Sequence, residues 1–436
     1  MGVAFLVRKE WISILVIILL LSGIHSVTGT QTDPQTRTVG PDKQYATIQA
    51  AINAANDGDT IVVDPGAYNE HIHITKSVFL YGATHGVSKK DYLVPAGYIY
   101  DTATETVIAP VGLGNEPVVE VQNNNIVFDG FIVKRTDSTA FGDPHTHLIE
   151  LPESSDFDDI TIQNNVLGPN TNNPQNGDAG GSAIWIHSHN NQFDGLIIQN
   201  NKIIDAKGAG CGILIIGNRF SEDFKFKAAV IHNNTISGNH RAGIEFDGGV
   251  RGQNSVHNIQ ITNNTITNNG WFDTGDKDLL LYGNGITFIR RAVDLSENNP
   301  AASQYIDIRY NVITDNEKNG IYFGPINKDI TLTNNTIQNN GLGTGGYSKW
   351  DGIRIDLDEV FYSPKGSQIY NVLENNIIHY NRLTGNGEYG VRVNKTPTKG
   401  SIDAVGNWWG AASGPKPTGT GDTVSSNVKS IAKNPT

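Results

Sequence analysis

Through most of the chain, apolar and polar positions alternate in short runs, and one phrase keeps returning: a β-branched alternation, then Asn-Asn, then an apolar residue. It reads Ile160-Thr161-Ile162-Gln163-Asn164-Asn165 and returns at Ile197-Ile198-Gln199-Asn200-Asn201, Ile231-His232-Asn233-Asn234 and Ile261-Thr262-Asn263-Asn264. Later copies are Ile308-Arg309-Tyr310-Asn311, Leu332-Thr333-Asn334-Asn335 and Leu373-Glu374-Asn375-Asn376, with Phe128-Asp129-Gly130 as an earlier, degenerate one. A second phrase interleaves with the first: Gly, then apolar, variable, apolar. Its copies begin at Gly212, Gly243, Gly285, Gly320, Gly352 and Gly390, with Ala183 in the same place before Ile184-Trp185-Ile186. The period of two predicts strands that each bury one face. Strands this short cannot build a core alone, but stacked coil on coil they pair in parallel and fill a common interior. The expected fold is therefore all-β, a single-stranded parallel β-helix, with loops of free length at one turn of each coil.

The two ends read as covers. Tyr45 to Asn56 carries Ile48, Ala51, Ile52 and Ala55 at helical spacing, which predicts a capping helix over 45–56, stopped by Asn56-Asp57-Gly58. A first coil follows from Thr60 to Gly66. At the other end, Trp408 and Trp409 in Gly406-Asn407-Trp408-Trp409-Gly410 suit a plug, followed by a polar tail with a last strand near Val424–Val428. The expected domains are a secretory signal peptide over 1–29, a linker over 30–41, the β-helix over 42–410 and a tail over 411–436. The signal peptide rests on Arg8 and Lys9 before the apolar run Trp11–Leu21, with cleavage expected near Gly29. An uncleaved anchor is the alternative; after cleavage no stable membrane span is expected.

Composition agrees with this architecture. The chain of 436 residues holds 48 Gly and, counted along the sequence, 47 Asn, both suited to turns. Asn at a coil corner adopts the left-handed conformation cheaply, and stacked Asn amides can bond from rung to rung. A net charge of −12 argues against nucleic acid as partner. The single cysteine, Cys211, excludes an internal disulfide and reads as a small buried hydrophobe.

The segment from Ala46 to Glu70, ATIQAAINAANDGDTIVVDPGAYNE, resembles the opening segment of right-handed parallel β-helix proteins of the pectin-lyase-like superfamily. The repeats resemble those associated with carbohydrate binding and sugar hydrolysis, including NosD-like proteins, and GNWWG with the later SGP resembles a terminal motif of such chains. The resemblance covers roughly residues 42–430 and implies a right-handed coil, an exported protein and a polysaccharide cleft along one sheet. The QDT, DFIFG and GRPW motifs of pectin methylesterases and the GHG and RIK motifs of polygalacturonases have no match, which disfavours those activities.

Alternation places two columns on the outward face after the Gly phrase. The first reads Trp185, Leu214, Glu245, Thr287, Tyr322, Arg354, Arg392; the second reads His187, Ile216, Asp247, Ile289, Gly324, Asp356, Asn394. Glu120 and Glu150 extend the first. Glu245 and Asp247 are candidate acid/base groups or metal ligands, since two carboxylates at i and i+2 share a face. Arg354 is the candidate carboxylate neutraliser or base, with Asp356, Tyr322 and His187 assisting. Trp185 is a candidate stacking platform, and Arg392, Glu150 and Glu120 are candidate substrate contacts. Each of these has a plainer structural reading, because outward strand positions often carry charge for solubility and Arg–Asp ladders contribute little. Asp273, Asp276 and Asp278 form an acidic loop able to hold Ca²⁺, the one cofactor expected. The expected function is a secreted carbohydrate-active protein, a polysaccharide lyase or glycoside hydrolase on an extended, uronate-containing chain. The alternatives are a non-catalytic glycan-binding or cell-envelope β-helix and a C5-epimerase resembling those of alginate, suggested by Asp143-Pro144-His145.

Overall fold

The computed structural model describes residues 33–136, 146–152, 157–171, 181–187, 192–208, 210–216, 225–226, 228–247, 255–270, 283–289, 303–324, 327–342, 349–357, 372–397, 399–426 and 428–429. The segment 1–29, expected as a signal peptide, lies outside them. Three long sheets run the length of the described structure, and every pairing in them is parallel between successive coils. Sheet I has fifteen strands and runs from Thr36–Val39 to Val428–Lys429. Sheet II has ten, from Gly66–Tyr68 to Arg382–Thr384, and sheet III has ten, from Ile72–Ile74 to Val391–Val393. From Thr60–Val63 to Val391–Val393 the chain visits the sheets in turn, so each coil adds one rung to each, which is the parallel β-helix that the repeats demand; the further strands of sheet I lie before and after these coils or, at Gln192–Phe193 and Lys225–Phe226, off its main path. Two boundaries differ from the sequence reading. Residues 36–39, expected as linker, pair with Thr60–Val63 as the first strand of sheet I. The expected tail contributes Pro415–Lys416, Gly421–Thr423 and Val428–Lys429.

The interior is filled by like residues stacked in register. On sheet III, Ile184, Ile213, Ile244, Ile286, Ile321 and Ile353 form one inward column. Two residues further on, Phe246, Phe288 and Phe323 stack nearly parallel, with ring centroids 4.8 and 4.9 Å apart. The spacing is that of neighbouring strands, so every rung repeats the packing of the last.

The Asn pairs divide the labour at the corner. The first of each pair takes the left-handed conformation: Asn164, Asn200, Asn233, Asn263 and Asn334 all have φ between 53° and 59°. The second turns inward and joins a buried ladder. Asn201, Asn234, Asn264, Asn311 and Asn335 each donate from Nδ2 to Oδ1 of the next rung's Asn at 2.9–3.0 Å. A second ladder runs through Asn239, Asn269, Asn316, Asn340 and Asn386 to Asp422. The copy ending in Asn375-Asn376 is out of phase with the others: it lies at a different corner, where Asn376 accepts from the Ile330 amide, and Asn381 continues the first ladder.

The recurring Gly has another cause. At Gly212, Gly243, Gly285, Gly320 and Gly352 a Cβ would meet the carbonyl oxygen of the next rung's Gly at 2.6–2.7 Å. No φ in the left-handed range is needed there; close approach alone excludes a side chain.

The capping helix α1 spans Ile48–Ala54, shorter than expected, with Thr47 as N-cap accepting from the Ala50 amide. Glu70 caps it a second time, accepting from the Ile48 and Gln49 amides at 3.0 Å each. Its buried face, Ile48, Ala51 and Ile52, closes the first coil. At the far end Trp409 is 2% exposed and joins the core cluster, as a plug should. Among the described residues no helix is long and apolar enough to cross a membrane.

Candidate functional site on the outward face of sheet III

Sheet III aligns the expected first column in full. Glu120, Glu150, Trp185, Leu214, Glu245, Thr287, Tyr322, Arg354 and Arg392 are successive register partners, and His73 precedes Glu120. In the second column, His187, Ile216, Asp247 and Ile289 align in the same way. The topology therefore brings the candidate residues onto one face, as the alternation predicts.

Their exposure differs from the expectation of an open, solvent-facing surface. Glu245, Tyr322 and Asp356 are 0% exposed, Asp247 2%, Glu150 3% and Trp185 6%. Trp185 is no exposed platform: His147 packs 4.0 Å and His187 5.4 Å from its ring centroid. Glu245 is not a free acid. Arg241 grips it with two donors, Nε at 2.8 Å to Oε2 and Nη2 to Oε1. A buried carboxylate demands such a partner, because its desolvation would otherwise cost roughly several kcal/mol. The Cys211 thiol donates to Glu245 Oε2 at 3.6 Å, and burial pushes its pKa well up, so it is inert as expected. Asp247, expected as the second half of an acid/base pair, is buried beside this closed ion pair.

The C-terminal end of the column is different in kind. Arg354 and Arg392 are partners on adjacent rungs, with side chains 15% and 28% exposed. Asp356 binds Arg354 Nε at 2.9 Å. Burial alone would lower the pKa of Arg354, but Asp356, Asp351 and Tyr322 hold it above its ordinary value. Trp350 packs against Tyr322, with the Arg354 guanidinium 5.3 Å and the Lys318 ammonium 5.0 Å from its ring centroid. Arg392 lies over Tyr389 at 5.1 Å and binds Glu388 at 3.0 Å.

Asp351 sits between the two arginines, and the sequence reading missed it. Its Oδ1 accepts from the Tyr389 amide, while its Oδ2 lies 3.7 Å from Arg354 and 4.0 Å from Arg392. Burial pushes its carboxyl up to about 7, although both arginines pull it down. The signal was present. Asn284 and Asn319 stand directly before Gly285 and Gly320 and form a short ladder, and Asp351 holds the same place before Gly352. An Asp where the repeat uses Asn marks the rung at which the ladder acquires charge.

His71 and His73 were also missed, although His71-Ile72-His73 is an outward–inward–outward alternation. His73 Nδ1 meets Glu120 Oε2 at 2.8 Å. Asp273, Asp276 and Asp278, and His145 of the epimerase-like motif, lie outside the described residues.

Residues 183–360 match the sequence family described as "Right handed beta helix region". No curated protein matches. Among solved structures, Dettilon tailspike protein is similar at 13% identity and a TM-score of 0.49, over 84% of this chain and 62% of its own. The chain thus spans less than two thirds of that tailspike. The Azotobacter vinelandii mannuronan C-5 epimerase AlgE6 A-module gives 16% identity and a TM-score of 0.34, over 89% of this chain and 95% of its own. Pectate lyase Pel9A gives 14% identity and a TM-score of 0.37, over 92% and 79%. These likenesses are too distant to bear on chemistry. The match over residues 183–360 and the three parallel sheets agree on the fold, a right-handed parallel β-helix, which is the fold that the resemblance of the opening segment implies.

Proposed function

We propose that the chain acts on an acidic polysaccharide that lies along the outward face of sheet III and is gripped at its Arg354–Arg392 end. The observation that carries this reading is the arginine pair: two partly exposed guanidiniums on adjacent rungs, held by a shared buried carboxyl at Asp351. Rungs about 4.8 Å apart come close to the repeat of an extended sugar chain, so successive uronate carboxylates can meet successive rungs. Guanidinium is the cation best matched to a carboxylate, with two parallel donors.

The reaction this arrangement suits is β-elimination. Arg354 and Arg392 neutralise the uronate carboxylate, which makes the C5 proton more acidic. A base removes that proton, the C4–C5 double bond forms, the C4–O bond breaks and the leaving oxygen takes a proton from solvent. Asp351, with its carboxyl near neutrality, is the group beside the guanidiniums suited to proton transfer at pH 7. A second reading, non-catalytic binding, is favoured by the burial of Glu245, Asp247, Asp356 and of Asp351 itself, each 2% exposed or less, which suits supports better than reacting groups.

A panel of polyuronates and neutral glycans separates the two, with absorbance reporting the unsaturated product and a reducing-end assay reporting any cleavage. Turnover of a polyuronate that falls at least ~100-fold in Asp351→Asn supports elimination. Binding without product supports the second reading. Neither binding nor product on any acidic glycan, with the fold intact, overturns the proposal.

A further inference from the structure

The other end of the same face carries a cluster of different chemistry. His71 and His73 flank the inward Ile72, so both rings project outward from one strand. Their centroids are 4.0 Å apart. Glu120 is the register partner of His73 on the next rung. One ligand atom from each of the three lies within 4.8 Å of the others. His71 Nε2 is buried with no hydrogen-bond partner, an unsatisfied ring nitrogen on one of the three residues. Around a tetrahedral ion, ligand atoms stand about 3.3 Å apart, a distance that small side-chain rotations reach.

The backbone beneath the cluster is fixed. Gln49 of α1 clamps His73 through both amide groups, its Oε1 accepting from the His73 amide at 2.7 Å and its Nε2 donating to the carbonyl at 3.2 Å. Ile72 donates to the Val118 carbonyl at 3.0 Å, locking the two rungs together. Burial, and then His73, lower the His71 pKa, which favours the neutral imidazole that ligates. The charges facing His71 are Glu116, Glu120 and Arg135, the last tied to the carbonyls of Glu116 and Gly114.

We propose that His71, His73 and Glu120 bind one divalent transition-metal ion of the zinc class. Two imidazoles and one carboxylate suit Zn²⁺, Co²⁺ or Ni²⁺ and leave a fourth position open. Ca²⁺, which takes oxygen ligands, is excluded by the same donors. The site is separate from the Arg354–Arg392 end and does not depend on the function proposed for it.

The test is titration of the metal-stripped full chain with Zn²⁺ by calorimetry and with Co²⁺ by visible absorption. Saturation at one equivalent is expected, with Co²⁺ bands of a four- or five-coordinate nitrogen–oxygen site and no displacement by millimolar Ca²⁺. His71→Ala and Glu120→Gln, assayed separately, should each weaken binding at least 10-fold while the metal-free thermal transition persists. If one variant misfolds, the other and the wild-type Co²⁺ spectrum decide. Absence of saturable binding, an octahedral all-oxygen Co²⁺ spectrum, or unchanged affinity in a folded variant overturns the proposal.

Discussion

At the scale of single residues, Asp351 is the group whose behaviour is most sharply fixed by its surroundings. Its folded pKa, near 7, lies above the ordinary carboxylate value, so the folded chain binds this proton more tightly than the unfolded chain does. The stability associated with that proton is fully present below about pH 4 and is lost as pH rises through about 7. Asp351→Asn keeps an acceptor for the Tyr389 amide and restores the residue found at Asn284 and Asn319 in the ladder. The variant should therefore fold and should be more stable than the wild type at pH 8 by about 1–3 kcal/mol, with the difference vanishing near pH 4. Urea unfolding at the two pH values reads this directly, and equal stability at both would place the Asp351 carboxyl at its ordinary value. Arg354→Ala should do the opposite. It leaves Asp356 buried without its cation, at a cost of about 3–5 kcal/mol, most of it from the stranded carboxylate. A double variant, Arg354→Ala with Asp356→Ala, should recover part of that loss in the same measurement.

At the scale of the coil, the Asn pairs make a paired prediction. Asn264 supplies four hydrogen bonds: its Oδ1 accepts from the Asn234 amide and Nδ2, and its Nδ2 donates to the Ile231 carbonyl and Asn311 Oδ1. Asn264→Ala leaves those groups buried and unsatisfied and should cost about 2–4 kcal/mol. Its neighbour Asn263, exposed at φ 58°, needs only backbone freedom, so Asn263→Gly should shift stability by less than about 0.5 kcal/mol. Hydrogen exchange across the flanking rungs distinguishes the two outcomes; equal effects would dissolve the division between corner and ladder. Phe288→Ala removes the middle ring of the stack with Phe246 and Phe323 and should cost about 3–5 kcal/mol.

At the scale of the whole molecule, the repeat made the coil and its facing columns legible, because alternation and phrase spacing alone set which residue stands above which. Glu120, Glu150 and the column from Trp185 to Arg392 fell into register for that reason. Burial was not legible. Alternation tells in from out, but whether an outward residue meets water depends on what packs over the face. Glu245 therefore read as an open acid, although Arg241, four residues before it, closes it. Asp351 escaped notice because chemistry was sought within the Gly phrase rather than at the residue preceding it. The His73–Glu120 pair joins residues far apart in sequence, which only the register of two rungs reveals. The Gly excess read as a sign of turns, and in the columns from Gly212 to Gly352 it reports instead how closely the rungs approach.

The net charge of −12 would repel an acidic ligand, so the proposed recognition rests on the local arginine pair alone. The most direct measurement is therefore the affinity of the chain for an oligouronide and for its fully methyl-esterified form, which differ only in charge. The account predicts that the free acid binds at least ~10-fold more tightly and that this gap closes in Arg392→Gln. Equal affinity for acid and ester, or a gap that persists in that variant, would contradict it.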